Sequence, residues 1–216
     1  MTLISCIVLL LSSYFSAYPQ EVKETVAFLN KNVVKKINNA LTPEELHMAL
    51  SIVAPEVSQY SKLMNEIELN VLKVLYIQKG WSNFSIGHFQ IKPSFAEQLE
   101  KEFQLHQCSK KSKREIRYDR ISRLSCIDGQ IEYLLLFIKF VRKKTANIRF
   151  ETNEEKLLYW ATIYNGGLYL SSEQVNMYMS KKQFPKYGVM FNYAQVSLEF
   201  YNYFSANPQI LEKEKL

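Results

Sequence analysis

The chain has 216 residues, a net charge of +6 and 47% apolar residues, with only six Gly and six Pro. That length supports one domain with a real core, and that composition excludes a disordered or low-complexity chain. Scarce breakers and long periodic stretches point to an all-α protein, and the mild positive charge suits an anionic partner without selecting one.

The N-terminus, MTLISCIVLLLSSYFSAYPQ, carries no charge before Glu21. An apolar run from Leu3 to Leu11 leads into small and aromatic residues, with Ala17 near a plausible cut. This is the shape of a secretory signal without its usual basic start, and the run is short for a membrane span. Residues 1–18 therefore read as a leader of a secreted or periplasmic protein, with a membrane anchor as the alternative if the segment stays uncleaved. Residues 19–216 read as one helical domain. Cys6 lacks the surroundings of a lipid-attachment cysteine. Cys108 and Cys126 can pair in an oxidising compartment or remain two free thiols.

Residues 21–38 are expected to form a first amphipathic helix through Val22, Val26, Phe28, Leu29, Val33 and Ile37. In LTPEELHMALSIVAPE, Thr42 with Glu45 is a capping box and Pro43 takes the first helical position. That helix is expected to stop near Pro55. Another spans Val57 to Gln78 and ends at Gly80. SIGHFQIKP then forms a polar loop, and Pro93 opens the next helix. A basic run, SKKSKREIRYDR, leads into a long helix through GQIEYLLLFIKFVRKK. Thr152 with Glu155 caps NEEKLLYWATIYNGG, which stops at Gly166 and Gly167. Ser171 with Gln174 caps a short helix, FPKYG is a turn, and Asn192 starts the last helix.

Three segments carry residue types suited to a site. Glu56 closes an apolar helix, where burial and the negative helix end would both raise its pKa, as a general acid requires. In the loop, Gly87 permits a tight turn, Phe89 anchors it, and Gln90 offers an amide to a polar ligand. Tyr164 and Asn165 stand at a helix end before two glycines.

Glu, Gly-x-x-Gln and Tyr-Asn-Gly, in that order, resemble the lysozyme-like superfamily. The pattern is most similar to the lytic transglycosylases and goose-type lysozymes. PEVS corresponds to the catalytic Glu segment, GHFQIKP to the Gly-rich loop and ATIYNGG to the late turn, over residues 43–168. The resemblance implies an all-α, lysozyme-like domain with a short irregular or hairpin loop at its groove. It implies cleavage of peptidoglycan glycan strands by a single acid, Glu56, giving a 1,6-anhydro product. Tyr164 would orient Glu56. Ser85, Gly87, Phe89, Gln90 and Asn165 would bind substrate, and Trp81, Phe84 and Tyr60 could stack on sugar rings. A non-catalytic glycan- or envelope-binding protein on the same fold is the alternative.

Three departures stand out. Glu56 lies 34 positions before Gln90, a long separation for the family. Its Ser is two residues later, and Ile163 and Gly166 replace the usual Ala. Glu68, 22 positions before Gln90, is the rival or second acid.

The three His form no metal spacing, so no metal or cofactor is implied. His88 reads as a solvated loop residue. Glu115 and Asp119 interrupt the basic run, which reads as a solvated face. A helical nucleic-acid-binding protein is a further alternative, but no nucleic acid is expected as partner. A monomer is expected, meeting a membrane only through an uncleaved N-terminus.

Overall fold

The computed structural model describes residues 13–60, 66–81 and 84–209, with the side chains of residues 66–68 outside that description. The described chain is overwhelmingly helical. Its elements are α1 (Tyr14–Ala17), α2 (Pro19–Leu29), a π-helical stretch (Asn30–Val34), α3 (Lys35–Ile37) and α4 (Pro43–Tyr60). There follow α5 (Glu66–Lys79), α6 (Pro93–Glu102), α7 (Lys113–Leu124), α8 (Ile127–Lys144), α9 (Asn153–Gly166) and α10 (Ser172–Met179). Strands β1 (Phe184–Lys186) and β2 (Val189–Phe191) precede α11 (Tyr193–Ala206).

Local signals explain most boundaries. The Thr42–Glu45 box closes in both directions, Glu45 N donating to Thr42 Oγ1 at 3.2 Å and Thr42 N to Glu45 at 3.1 Å. Ser112 with Glu115 and Ser171 with Gln174 form two more such boxes. Thr152 and Asn192 cap α9 and α11 through their side-chain oxygens. The turn read from FPKYG is the tip of an antiparallel hairpin, with Phe184 opposite Phe191 and Lys186 opposite Val189. Tyr187 and Gly188 both take positive φ, at 48° and 81°, as a two-residue hairpin turn requires.

Two helix limits differ from the sequence reading. The expected stop at Pro55 does not occur, since α4 runs through it to Tyr60. The expected helix over 57–78 is instead divided between the end of α4 and α5, with residues 61–65 outside the described part. Proline inside a helix withdraws one backbone donor, here the partner of the Ser51 carbonyl. The next carbonyl, Ile52 O, accepts a bond from the Tyr193 hydroxyl at 2.7 Å. Tyr193 stands at the start of α11, so packing between α4 and α11 supports the turn that Pro55 weakens.

α4 lies at the centre, packed against α2, α9 and α11, while α6 and α7 pack on α8 and α5 packs on α7. Met48, Leu50, Ile52 and Val53 of α4 are fully buried, as are Trp160, Tyr133, Phe137 and Phe200 from the helices around it. The first twelve residues of the expected leader lie outside the described part. Residues 13–18 are packed structure. Tyr14 is fully buried, its hydroxyl bonds Ser58, and its N–H and that of Phe15 donate to the Glu199 carboxylate at 3.0 and 2.9 Å. Among the described residues, no helix is long and apolar enough to cross a membrane.

Candidate active site

Glu56 projects from the fourth turn of α4, directly after Pro55, and is half-buried. It is not at a helix end, so the dipole argument for its acidity does not apply. Burial supplies the effect instead, lifting its pKa to about 8 while the Lys92 charge pulls the other way. Among the described residues, none donates a hydrogen bond to its carboxylate. Tyr164 and Tyr193 stand close enough for the Glu56 charge to disfavour their ionisation further, beyond the larger effect of their own burial. These rings stack at 6.4 Å, and Phe184 meets Tyr193 edge-on at 5.2 Å. The acid therefore sits at an aromatic wall that excludes water from one side.

The SIGHFQI loop is a miniature hairpin. Ile86 and Ile91 pair through bonds of 3.1 and 3.2 Å, and Gln90 N closes the turn onto Gly87 O at 3.0 Å. Gly87 has φ 72°, and a Cβ there would lie 1.9 Å from Nε2 of Gln130. Glycine is thus required twice, for its backbone angle and for the space behind it. Gln130, buried on α8, accepts from Phe89 N at 2.9 Å and donates to Leu124 O at 3.0 Å. The Tyr164 hydroxyl donates to Phe89 O at 2.8 Å. Both ends of residue 89 are held, its ring is fully buried, and Gln90 is turned into left-handed backbone at φ 47°.

These segments converge. One cleft of about 540 Å³ is lined by Glu56 and Gln59 of α4, Ser85, Gln90, Ile91 and Lys92 of the loop, and Ser94, Phe95 and Gln98 of α6. The α9 end, Tyr164 to Gly167, and residues Gln183 to Pro185 before and within the hairpin complete it. A smaller cavity of about 260 Å³ shares Asn165, Gly166 and Gln183 with it and continues towards Tyr178 and Lys181. Side-chain amides dominate the main cleft. Among its described lining residues, Glu56 is the only carboxylate and Lys92 the only cation.

Glu56, Ser85, Gln90, Tyr164 and Asn165 are thus brought together, with Gly87 and Phe89 shaping the loop from behind. The expected hydrogen bond from Tyr164 to Glu56 is not made, because the phenol proton goes to the Phe89 carbonyl. The side chain of Glu68 lies outside the described residues, so the structure gives no account of that rival acid. Tyr60 does not face the cleft. Its ring lies 4.0 Å from His88, which is stacked from the other side by Phe28 at 4.3 Å. His88 is therefore enclosed, not a free loop residue, and burial lowers its pKa. Phe84 is buried, while Trp81 stacks on it and stays 46% exposed, outside the cleft lining. Gln130, Gln59, Gln98 and Gln183 carry no sequence signal, since an amide gains its role only from the element opposite it.

Half of the basic run is taken up by contacts within the fold. Arg120 is buried against Glu100, Lys111 pairs with Asp119 at 2.5 Å, and Arg117 covers Gly80. Lys110, Lys113 and Arg114 of the run stay exposed. Cys108 and Cys126 are free and exposed. No family model, curated protein or solved structure matches the chain.

Proposed function

We propose that the protein is a glycosidase of the cell envelope, built on a lysozyme-like helical fold, that cleaves peptidoglycan glycan strands in the manner of a lytic transglycosylase. The observation that carries this reading is Glu56, a carboxyl group lifted to about pKa 8 in a cleft whose other polar groups are mostly amides and hydroxyls. At neutral pH the group is protonated and can donate to a glycosidic oxygen. Gln59, Gln90, Gln98, Asn165 and Gln183 match the N-acetyl and hydroxyl groups of amino sugars in both donor and acceptor character.

In this mechanism Glu56 gives its proton to the leaving oxygen as the glycosidic bond breaks. The resulting carboxylate then takes the proton of the C6 hydroxyl on the same sugar. That oxygen bonds the anomeric carbon, giving a 1,6-anhydro end and restoring the acid. One carboxyl group suffices, in keeping with Glu56 being the only one among the described cleft residues. A hydrolytic route with inversion would require a second carboxylate across the bond.

The test is digestion of purified peptidoglycan followed by mass spectrometry of the fragments. Anhydro-muropeptides are expected from the wild type and a loss of about a thousandfold or more in Glu56→Gln. No product from the wild type would sink the reading, and equal product from Glu56→Gln would move the acid to Glu68.

A further inference from the structure

We propose that Lys92 binds a carboxylate carried by the substrate, so that the cleft selects acid-bearing glycans over neutral ones. This inference rests on the glycosidase reading and deepens it. Lys92 is exposed, stands between the loop and α6, and lines the cleft beside Ser94 and Gln98. Among the described residues it has no ion-pair partner, and it is the only cation among the described residues that line the cleft. Glu56 is not that partner, since no contact within 4 Å joins them and Glu56 is neutral at pH 7. A cation beside a general acid opposes the acid's protonation. Its place in the cleft therefore calls for a different anion, and the substrate is the one group still to enter.

The other charged or titratable groups packed around Glu56 do not replace it. Tyr164 and Tyr193 approach from α9 and α11 and remain neutral phenols. Lys186 of the hairpin is buried, donating to Ser58 O at 2.8 Å within a cage of Tyr14, Tyr18 and Tyr187.

The chemistry has two sources on a peptidoglycan strand, the ether carboxylate on the sugar once its peptide is removed, or a carboxylate of the attached peptide. Binding either one neutralises Lys92 and removes its pull on Glu56. Substrate binding thus leaves the acid more firmly protonated, and a neutral glycan does not.

The experiment compares intact peptidoglycan fragments, fragments stripped of peptide by an amidase, and neutral N-acetylglucosamine oligomers. Affinity is read by calorimetry on the Glu56→Gln protein, with and without Lys92→Gln or Lys92→Arg, and turnover on Glu56 proteins. Lys92→Gln is expected to weaken acid-bearing fragments roughly tenfold and leave the neutral oligomer unchanged, with Lys92→Arg retaining most of the affinity. A gain on peptide removal assigns the ether carboxylate, and a loss assigns the peptide. The pH profile separates recognition from mere tuning of the acid. In the wild type the alkaline limb for kcat lies above that for kcat/KM on acid-bearing substrate, and in Lys92→Gln the two coincide. Equal affinity for charged and neutral glycans, or an unchanged Lys92→Gln, overturns the proposal while leaving the glycosidase reading standing. Should no glycan be cut, the same titrations still decide it, and absence of binding to all three overturns both.

Discussion

Two carboxyl groups in this molecule leave water under opposite terms. Glu100, on α6, is 2% exposed and meets donors on every side. Arg120 bonds it through Nε at 2.9 Å and through a terminal nitrogen, the Tyr133 hydroxyl bonds its other oxygen, and His106 approaches at 3.1 Å. Burial alone would press Arg120 towards neutrality, and the bonds and charge of Glu100 more than reverse it. Glu56, on α4, is less buried yet receives no hydrogen bond among the described residues. Charge in the interior is tolerated when it is paired and bonded, and otherwise the group gives up its charge. The first arrangement joins α6, α7 and α8, and the second stores a proton. Burial therefore does not mark a functional carboxyl by itself; burial without compensation does.

The comparison can be broken most forcefully at Glu100. Glu100→Gln leaves Arg120 buried opposite a neutral amide and strips Tyr133 of its acceptor. A loss of about 3–5 kcal/mol is expected, read as a fall in the urea midpoint at constant slope. A loss below about 1 kcal/mol would show that the cluster is not the structural joint described here.

Glu56→Gln should act in the opposite sense. The folded pKa of about 8 lies above the ordinary 4.5, so the native state holds a proton that the unfolded chain releases. Glu56 then contributes most to stability below pH 4.5, and its contribution falls as pH rises from 4.5 to 8, at up to about 1.4 kcal/mol per pH unit. The Gln variant has no such slope. Its Tm should exceed the wild-type value by roughly 10 °C at pH 9, with the gap closing towards pH 5. A pH-independent gap would contradict the buried, unpaired carboxyl.

Much of this frame is legible in the sequence, because caps and breakers act locally. Thr42, Pro43, Thr152, Ser171 and Asn192 mark helix starts from neighbours within three residues, and Gly80 and Gly167 mark ends. Pro55 misleads because its effect is settled far away, by Tyr193 reaching Ile52 O across 141 positions. The candidate site is legible where a motif carries its own geometry, as in Gly87 to Gln90. It is not legible where a role depends on what lies opposite. Tyr164 reads as a partner for Glu56, and the fold gives its proton to Phe89. Gln130 has no motif at all, yet its amide explains why residue 87 must be glycine.

The smallest effect sharpens the contrast between the two carboxyls at their tyrosines. The Tyr133 hydroxyl bonds Glu100, whereas the Tyr164 hydroxyl passes Glu56 and bonds the Phe89 carbonyl at 2.8 Å. Tyr164→Phe removes one neutral bond and retains the ring that packs on Phe95 and Phe137 at 5.5 and 5.1 Å. A loss of about 1 kcal/mol is expected, with faster amide exchange at residues 87–90. The alkaline limb of the pH–rate profile should stay in place, because the phenol gives no hydrogen bond to the Glu56 carboxylate. A downward shift of that limb would mean that the hydroxyl stabilises the protonated acid after all, and would return Tyr164 to the orienting role its motif implies. An unchanged limb with a loosened loop assigns it to holding Gln90 at the cleft.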